Sequence, residues 1–136
     1  MTTRAVIKGV GHYLPDRIVP NSEFAATLDT SDAWIKSRSG IERRHFAAEG
    51  QGASDLASRA AIAALQDAGF KANDLDTIIV ATSTPDLTFP SVATMVQGSI
   101  GMTRGFGFDT VTFMLTTLVL NQNPPVIAVQ YFLHQL

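Results

Sequence analysis

No cysteine occurs anywhere in the 136 residues. That single absence excludes disulfides, thiolate metal sites and thiol nucleophiles together. Histidine is almost as scarce: His12, His45 and His134 lie far apart and show no ligand spacing, so no metal site is expected. Charge is modest, with ten basic and twelve acidic residues and a net charge of −2. A nucleic-acid footprint would need a basic excess or stripe, and none is present. No apolar run reaches the roughly 18 residues of a spanning helix, and the first fifteen residues are too interrupted for a signal peptide. Internal repeats and low-complexity tracts are lacking. The expectation is a soluble, cytoplasmic chain with no membrane partner. A hydrophobic fraction of 46% allows a buried core. The length suits one ordinary domain or part of a larger one.

The clearest pattern is a helix from Ser54 to Ala68. Leu56, Ala57, Ala60, Ala61, Ala64, Leu65 and Ala68 recur at helical spacing, while Asp55, Arg59 and Asp67 fall elsewhere. Its apolar face is mostly alanine, which lets another element lie close. Gly69 is the stop. Residues 4–11 read as a first strand. Asn21 or Ser22 can cap a short helix through Leu28, since a short polar side chain accepts a free backbone N–H. Thr30 or Ser31 can cap another, with Asp32 favoured in its first turn and Gly40 as its end. Thr77 to Thr82 is a continuous β-rich run suited to a strand covered on both faces, as in a parallel sheet. Ser91 caps a helix running toward Gly101, and Gly105 to Asp109 reads as another strand. The order of elements implies a layered α/β fold.

Composition changes sharply after Asp109. Residues 1–109 hold all the charged side chains, and residues 110–136 hold none. The tail has no amphipathic period, and Pro124-Pro125 forbids one continuous helix. We divide the chain into a half-domain at 1–109 and an apolar tail of uncertain structure at 110–136.

Two segments carry chemistry. In Asp29-Thr-Ser-Asp-Ala-Trp-Ile-Lys-Ser-Arg38, Trp34 and Arg38 are one helical turn apart and share a face. An exposed indole would offer a platform for a planar base, and a guanidinium beside it could hold a phosphate. The plainer reading makes Trp34 a core anchor and Arg38 a solvated residue, and spacing alone favours it. In Thr82-Ser-Thr-Pro-Asp-Leu-Thr-Phe-Pro-Ser91, a strand ends in a loop holding Phe89. Loops beyond strand ends collect ligand sites in α/β sheets, yet Phe89 could equally pack beneath its own loop.

The pattern D-T-S-D-x-W-I-x-x-R-S-G-I-x-x-R, followed by I-I-V-A-T-S-T-P-D-x-x-F-P-S, resembles β-ketoacyl-acyl-carrier-protein synthase III from about Ile7 to Asp109. The resemblance implies a thiolase-like fold of two similar α/β halves, with subunits that pair, of which this chain supplies most of the first half. It implies an acyltransferase that starts bacterial fatty-acid synthesis. An acyl group moves from coenzyme A to a cysteine and then condenses with malonyl-acyl-carrier protein, assisted by a histidine and an asparagine of the second half. Acyl-coenzyme A is a substrate, and no permanent cofactor is implied. By position, Thr30, Trp34 and Arg38 match residues that contact coenzyme A, with Trp34 on the adenine, which reverses the preference drawn from spacing. Phe89 matches the residue that crosses the dimer interface to wall the partner's acyl pocket.

Where the family places its nucleophile the chain departs. Small residues and a Cys-Ala/Ser-Gly-Phe run should follow Phe108-Asp109, but Met114 falls at the cysteine position by count, with no glycine after it. A thioether has no ionisable proton and forms no thioester. The assisting histidine and asparagine lie in a region this chain lacks. The expectation is therefore an incomplete, inactive form with no catalytic residue, arising by frameshift, truncation or rearrangement after Asp109. The alternative is a non-catalytic coenzyme A-binding or dimer-assembly module. An uncovered half-fold would expose sheet edges and apolar surface and be prone to aggregate. A membrane-associated tail ranks last, because neither apolar stretch is long enough or basic enough.

Overall fold

A computed structural model describes residues 6–110, 118–121 and 126–130, the last two segments as backbone strands. Two compact units are present: residues 6–13 together with the described residues from Gln51 onward, and Leu14–Gly50.

The first unit is built on a five-stranded sheet in the order β1-β6-β7-β4-β5. Its strands are β1 (Val6–Ile7), β4 (Thr77–Ala81), β5 (Phe106–Thr110), β6 (Leu118–Asn121) and β7 (Val126–Gln130). β4 runs parallel to both β5 and β7, and the β6 pairings are antiparallel. Strands from residues 110–136 thus join the same sheet as β4. Their side chains are not described, and neither is Met114.

Two helices pack with this sheet, α3 (Ala53–Ala68) and α4 (Val92–Ser99). The expected periodicity of α3 places Leu56, Ala57, Ala60, Ala61, Ala64 and Leu65 in the core, and Gly69 ends it in the left-handed conformation at φ 67°. Ile78 and Val80 of β4 are fully buried with them, and with Val92, Ala93 and Val96 of α4. The opposite face of the same ladder is less covered than the apolar run suggests. Ile79 is half-buried, and its register partner Phe108 is exposed and stacked on exposed Phe106.

The strand expected over 4–11 is found only at Val6–Ile7 within the described residues. The reason lies in α3. A Cβ on Gly9 would come within 2.6 Å of the Ala64 carbonyl oxygen, and one on Gly11 would collide with the Ala64 backbone. The segment is pressed onto the alanine face, and the Val10 N–H donates to Asp67 Oδ2 at 2.9 Å instead of joining a strand ladder.

In the second unit, β2 (Arg17–Pro20) pairs antiparallel with β3 (Arg43–Phe46), a pairing the sequence reading did not foresee. Between them lie α1 (Asn21–Ala25) and α2 (Asp32–Ser39). α1 is shorter than expected, with Leu28 N–H closing a turn onto the Phe24 carbonyl at 2.8 Å. Neither Asn21 nor Ser22 caps it, because the N-cap is Pro20, without a side-chain bond. Asn21 is buried and used elsewhere, as described below.

Candidate functional site

α2 is well defined at both ends. Ser31, not Thr30, is its cap, accepting from the Trp34 N–H at 3.1 Å. Gly40 closes it at φ 71°, a left-handed conformation that glycine adopts without a steric penalty. Lys36 lies 3.2 Å from Asp32 and 3.4 Å from Glu42. The Asn21 amide, and then Lys36, hold the Asp32 carboxyl below its usual range, while Asp32 and then Glu42 raise the Lys36 ammonium.

Because 3.6 residues make a turn, Ile35 points inward at 8% exposure while Trp34 stands out at 57%. Trp34 is therefore not a core anchor. The Arg38 guanidinium carbon lies 5.9 Å from the centre of its ring. Both line a cavity of about 400 Å³ whose wall also includes Thr30, Phe24, Leu28 and Arg44. The Thr30 hydroxyl is buried and has no hydrogen-bond partner among the described residues. A buried hydroxyl without a partner costs about 1–3 kcal/mol.

Sequence reasoning missed the wall that faces α2. Asn21 donates to Asp32 Oδ1 at 2.9 Å and to the Ile41 carbonyl at 2.7 Å, and accepts from Arg44 Nη1 at 2.8 Å. Arg44 lies over Phe24, 4.8 Å from its ring centre, and Phe24 meets Phe46 edge-on. These partners are separated by 11 to 23 positions in the chain, so no local pattern announces them.

Phe89 belongs to the other unit, in the loop between β4 and α4. It is 88% exposed and does not pack beneath its loop. The loop itself is fastened. Asp86 Oδ2 accepts from the Ser54 N–H at 2.8 Å at the start of α3, and the Thr82 hydroxyl accepts from the Thr84 N–H at 3.1 Å. Gly52 has no side chain because the Asp86 carboxylate occupies that space. Asp109, ending the charged part of the chain, accepts from the N–H groups of Val92 and Ala93, each at 2.7 Å. Met114 and His134 lie outside the described residues. His45 Nδ1 sits 2.6 Å from the Pro15 carbonyl. Among the described residues no group of three or more His, Cys, Asp or Glu could hold a metal, and no helix is long and apolar enough to cross a membrane.

No protein-family model matches the chain. The β-ketoacyl-[acyl-carrier-protein] synthase III of Cereibacter sphaeroides is 72% identical over 109 residues, which is 80% of this chain and 34% of the relative. The chain thus spans about a third of the length of the curated relatives it matches. Among solved structures, 3-oxoacyl-[acyl-carrier-protein] synthase III of Aquifex aeolicus superposes with a TM-score of 0.75 at 38% identity, covering 80% of this chain and 35% of that one. The priming β-ketosynthase of a polyketide biosynthetic pathway gives a TM-score of 0.75 at 28% identity, covering 81% and 33%.

Proposed function

We propose, from the premise that the matched residues belong to the N-terminal part of the β-ketoacyl-[acyl-carrier-protein] synthase III family and carry a partial thiolase-like fold, that this chain supplies the nucleotide-binding wall of an acyl-coenzyme A site. The parent activity in this reading is the step that starts fatty-acid synthesis in the cytoplasm, condensing an acyl-coenzyme A with malonyl-acyl-carrier protein. The adenine stacks on the exposed face of Trp34, the Thr30 hydroxyl bonds the base or its sugar, and Arg38 neutralises phosphate. Acyl-coenzyme A is a substrate here, with no permanently bound cofactor. Phe89 reaches a partner subunit and walls its acyl pocket. The family-like part ends at Asp109, and 110–136 is a divergent tail.

The observation that carries this reading is the cavity of about 400 Å³ lined by an exposed indole and by a guanidinium 5.9 Å from its ring centre, with Thr30 also in the wall. Flat apolar surface beside a cation suits a base joined to phosphate. The 136 residues by themselves carry no thioester chemistry, because no side chain in them is a thiol. The chain acts as a binding piece and not as a complete enzyme. Calorimetric titration with coenzyme A tests the proposal: saturable heat is expected from the natural sequence and none from Trp34→Ala. Equal binding by both would refute it.

A further inference from the structure

We propose that Arg44 is a second anion-binding guanidinium of the Trp34 cavity, acting with Arg38 on the phosphate groups of a nucleotide. The proposal rests on the nucleotide reading above and deepens it.

Arg44 arrives from β3, not from α2, so the two guanidiniums approach the cavity from different elements. Its position is fixed on two sides. Nη1 donates to the buried Asn21 Oδ1, and the guanidinium plane rests on Phe24. Fixing a long side chain in advance removes much of the ordering cost that binding would otherwise incur.

Its charge, by contrast, meets no carboxylate among the described residues. An arginine held in place for structure alone usually takes a carboxylate. The carboxylate placed to serve, Asp32, is bonded instead to the Asn21 amide and to Lys36. Asp29 also lines the cavity, yet it forms no ion pair with Arg38 or Arg44 among the described residues. Among the described residues the Asn21 carbonyl oxygen is the one hydrogen-bond acceptor that the Arg44 guanidinium meets, which leaves further donors of its planar fork unused there. Two guanidiniums with no ion pair among the described residues, in one cavity wall beside an indole, match a ligand with a planar base and more than one anionic oxygen. A free base or nucleoside would leave both charges unanswered.

Adenosine and ADP separate the base contribution from the phosphate contribution, and quenching of Trp34, the chain's single tryptophan, reports both. The full 136-residue chain should bind ADP more tightly than adenosine. Arg44→Gln should weaken ADP about tenfold, the scale of a charge-assisted bond, and leave adenosine unchanged. Arg44→Lys keeps the charge without the fork and should recover part of the loss. If Arg44→Gln keeps its far-UV spectrum and binds ADP like the natural sequence, the inference falls while the nucleotide reading stands. A variant that loses adenosine together with ADP makes Arg44 a structural residue and also overturns it. Should the glutamine variant fail to fold, Arg44→Lys decides alone: a drop confined to ADP supports the assignment, and unchanged ADP affinity refutes it. Failure of the natural sequence to bind either compound would remove the nucleotide reading and this inference with it.

Discussion

Replacing Asp109 should loosen α4 more than any other single change to a half-buried polar side chain. The first four N–H groups of a helix have no partner within it. In α4 three of them have a side-chain acceptor: Val92 and Ala93 the Asp109 carboxylate, and Thr94 the Ser91 hydroxyl, after which the Met95 N–H makes the first regular helical bond to the Ser91 carbonyl. A bond to a charged acceptor contributes about 1.5–3 kcal/mol. One carboxylate makes both bonds, and its half-buried position admits some water, so the pair is worth about 3 kcal/mol rather than the full sum. Asp109→Ala orphans both donors and should cost about that much. Asp109→Asn keeps one acceptor and turns an NH2 toward the other donor, for a loss of about 1–2 kcal/mol. Ser91→Ala, the ordinary cap deletion, should cost about 1 kcal/mol. Folded domains hold only about 5–15 kcal/mol in total, so Asp109→Ala should move the urea midpoint down by about 1–3 M. The assay is urea unfolding followed by far-UV circular dichroism on the three variants and the natural sequence. An Asp109→Ala midpoint indistinguishable from the natural one, or a smaller effect than Ser91→Ala, would refute the reasoning.

Gly11→Ala drives a methyl into the Ala64 backbone and should destabilise by about 1–3 kcal/mol or more; an unchanged thermal midpoint would contradict the close approach. Asp32 is depressed in the folded state, so its contribution is present above its unfolded value and lost as pH falls through the folded one; Lys36 is raised, so its contribution is present below its unfolded value and lost as pH rises through the folded one. Stability should be level between about pH 5 and pH 9 and fall at both ends, with Asp32→Asn flattening the acid limb; a urea midpoint that climbs on acidification from the plateau would show the sign to be wrong. Incubation with acetyl-coenzyme A should leave the intact mass of the chain unchanged, and a stable acetyl adduct would end the claim that this sequence carries no thioester chemistry.

What could be read in advance was what repeats locally. The alanine periodicity of α3, the Ser91 start of α4 and the β-rich run of β4 each sit within a few turns of chain, and each is present. The β2–β3 pair was not legible. Arg17–Pro20 and Arg43–Phe46 are short, rich in arginine and joined across two helices, so neither alternation nor a turn marks them. Asn21 has the chemistry of a cap, but burial gave its amide three partners elsewhere. Spacing put Trp34 beside Arg38 without saying which side faces water, and the burial of Ile35 decided that. The opposite wall, Phe24 and Arg44, depends on contacts that only the folded unit creates.

The fastening of the β4–α4 loop has an energetic result for the ring it carries. Asp86 ties the loop to α3, and three residues on, the Phe89 ring stands in solvent. Burying that ring against any apolar surface would gain about 1.5–3 kcal/mol. A ring left in water at that cost makes self-association of the chain the expected outcome as concentration rises.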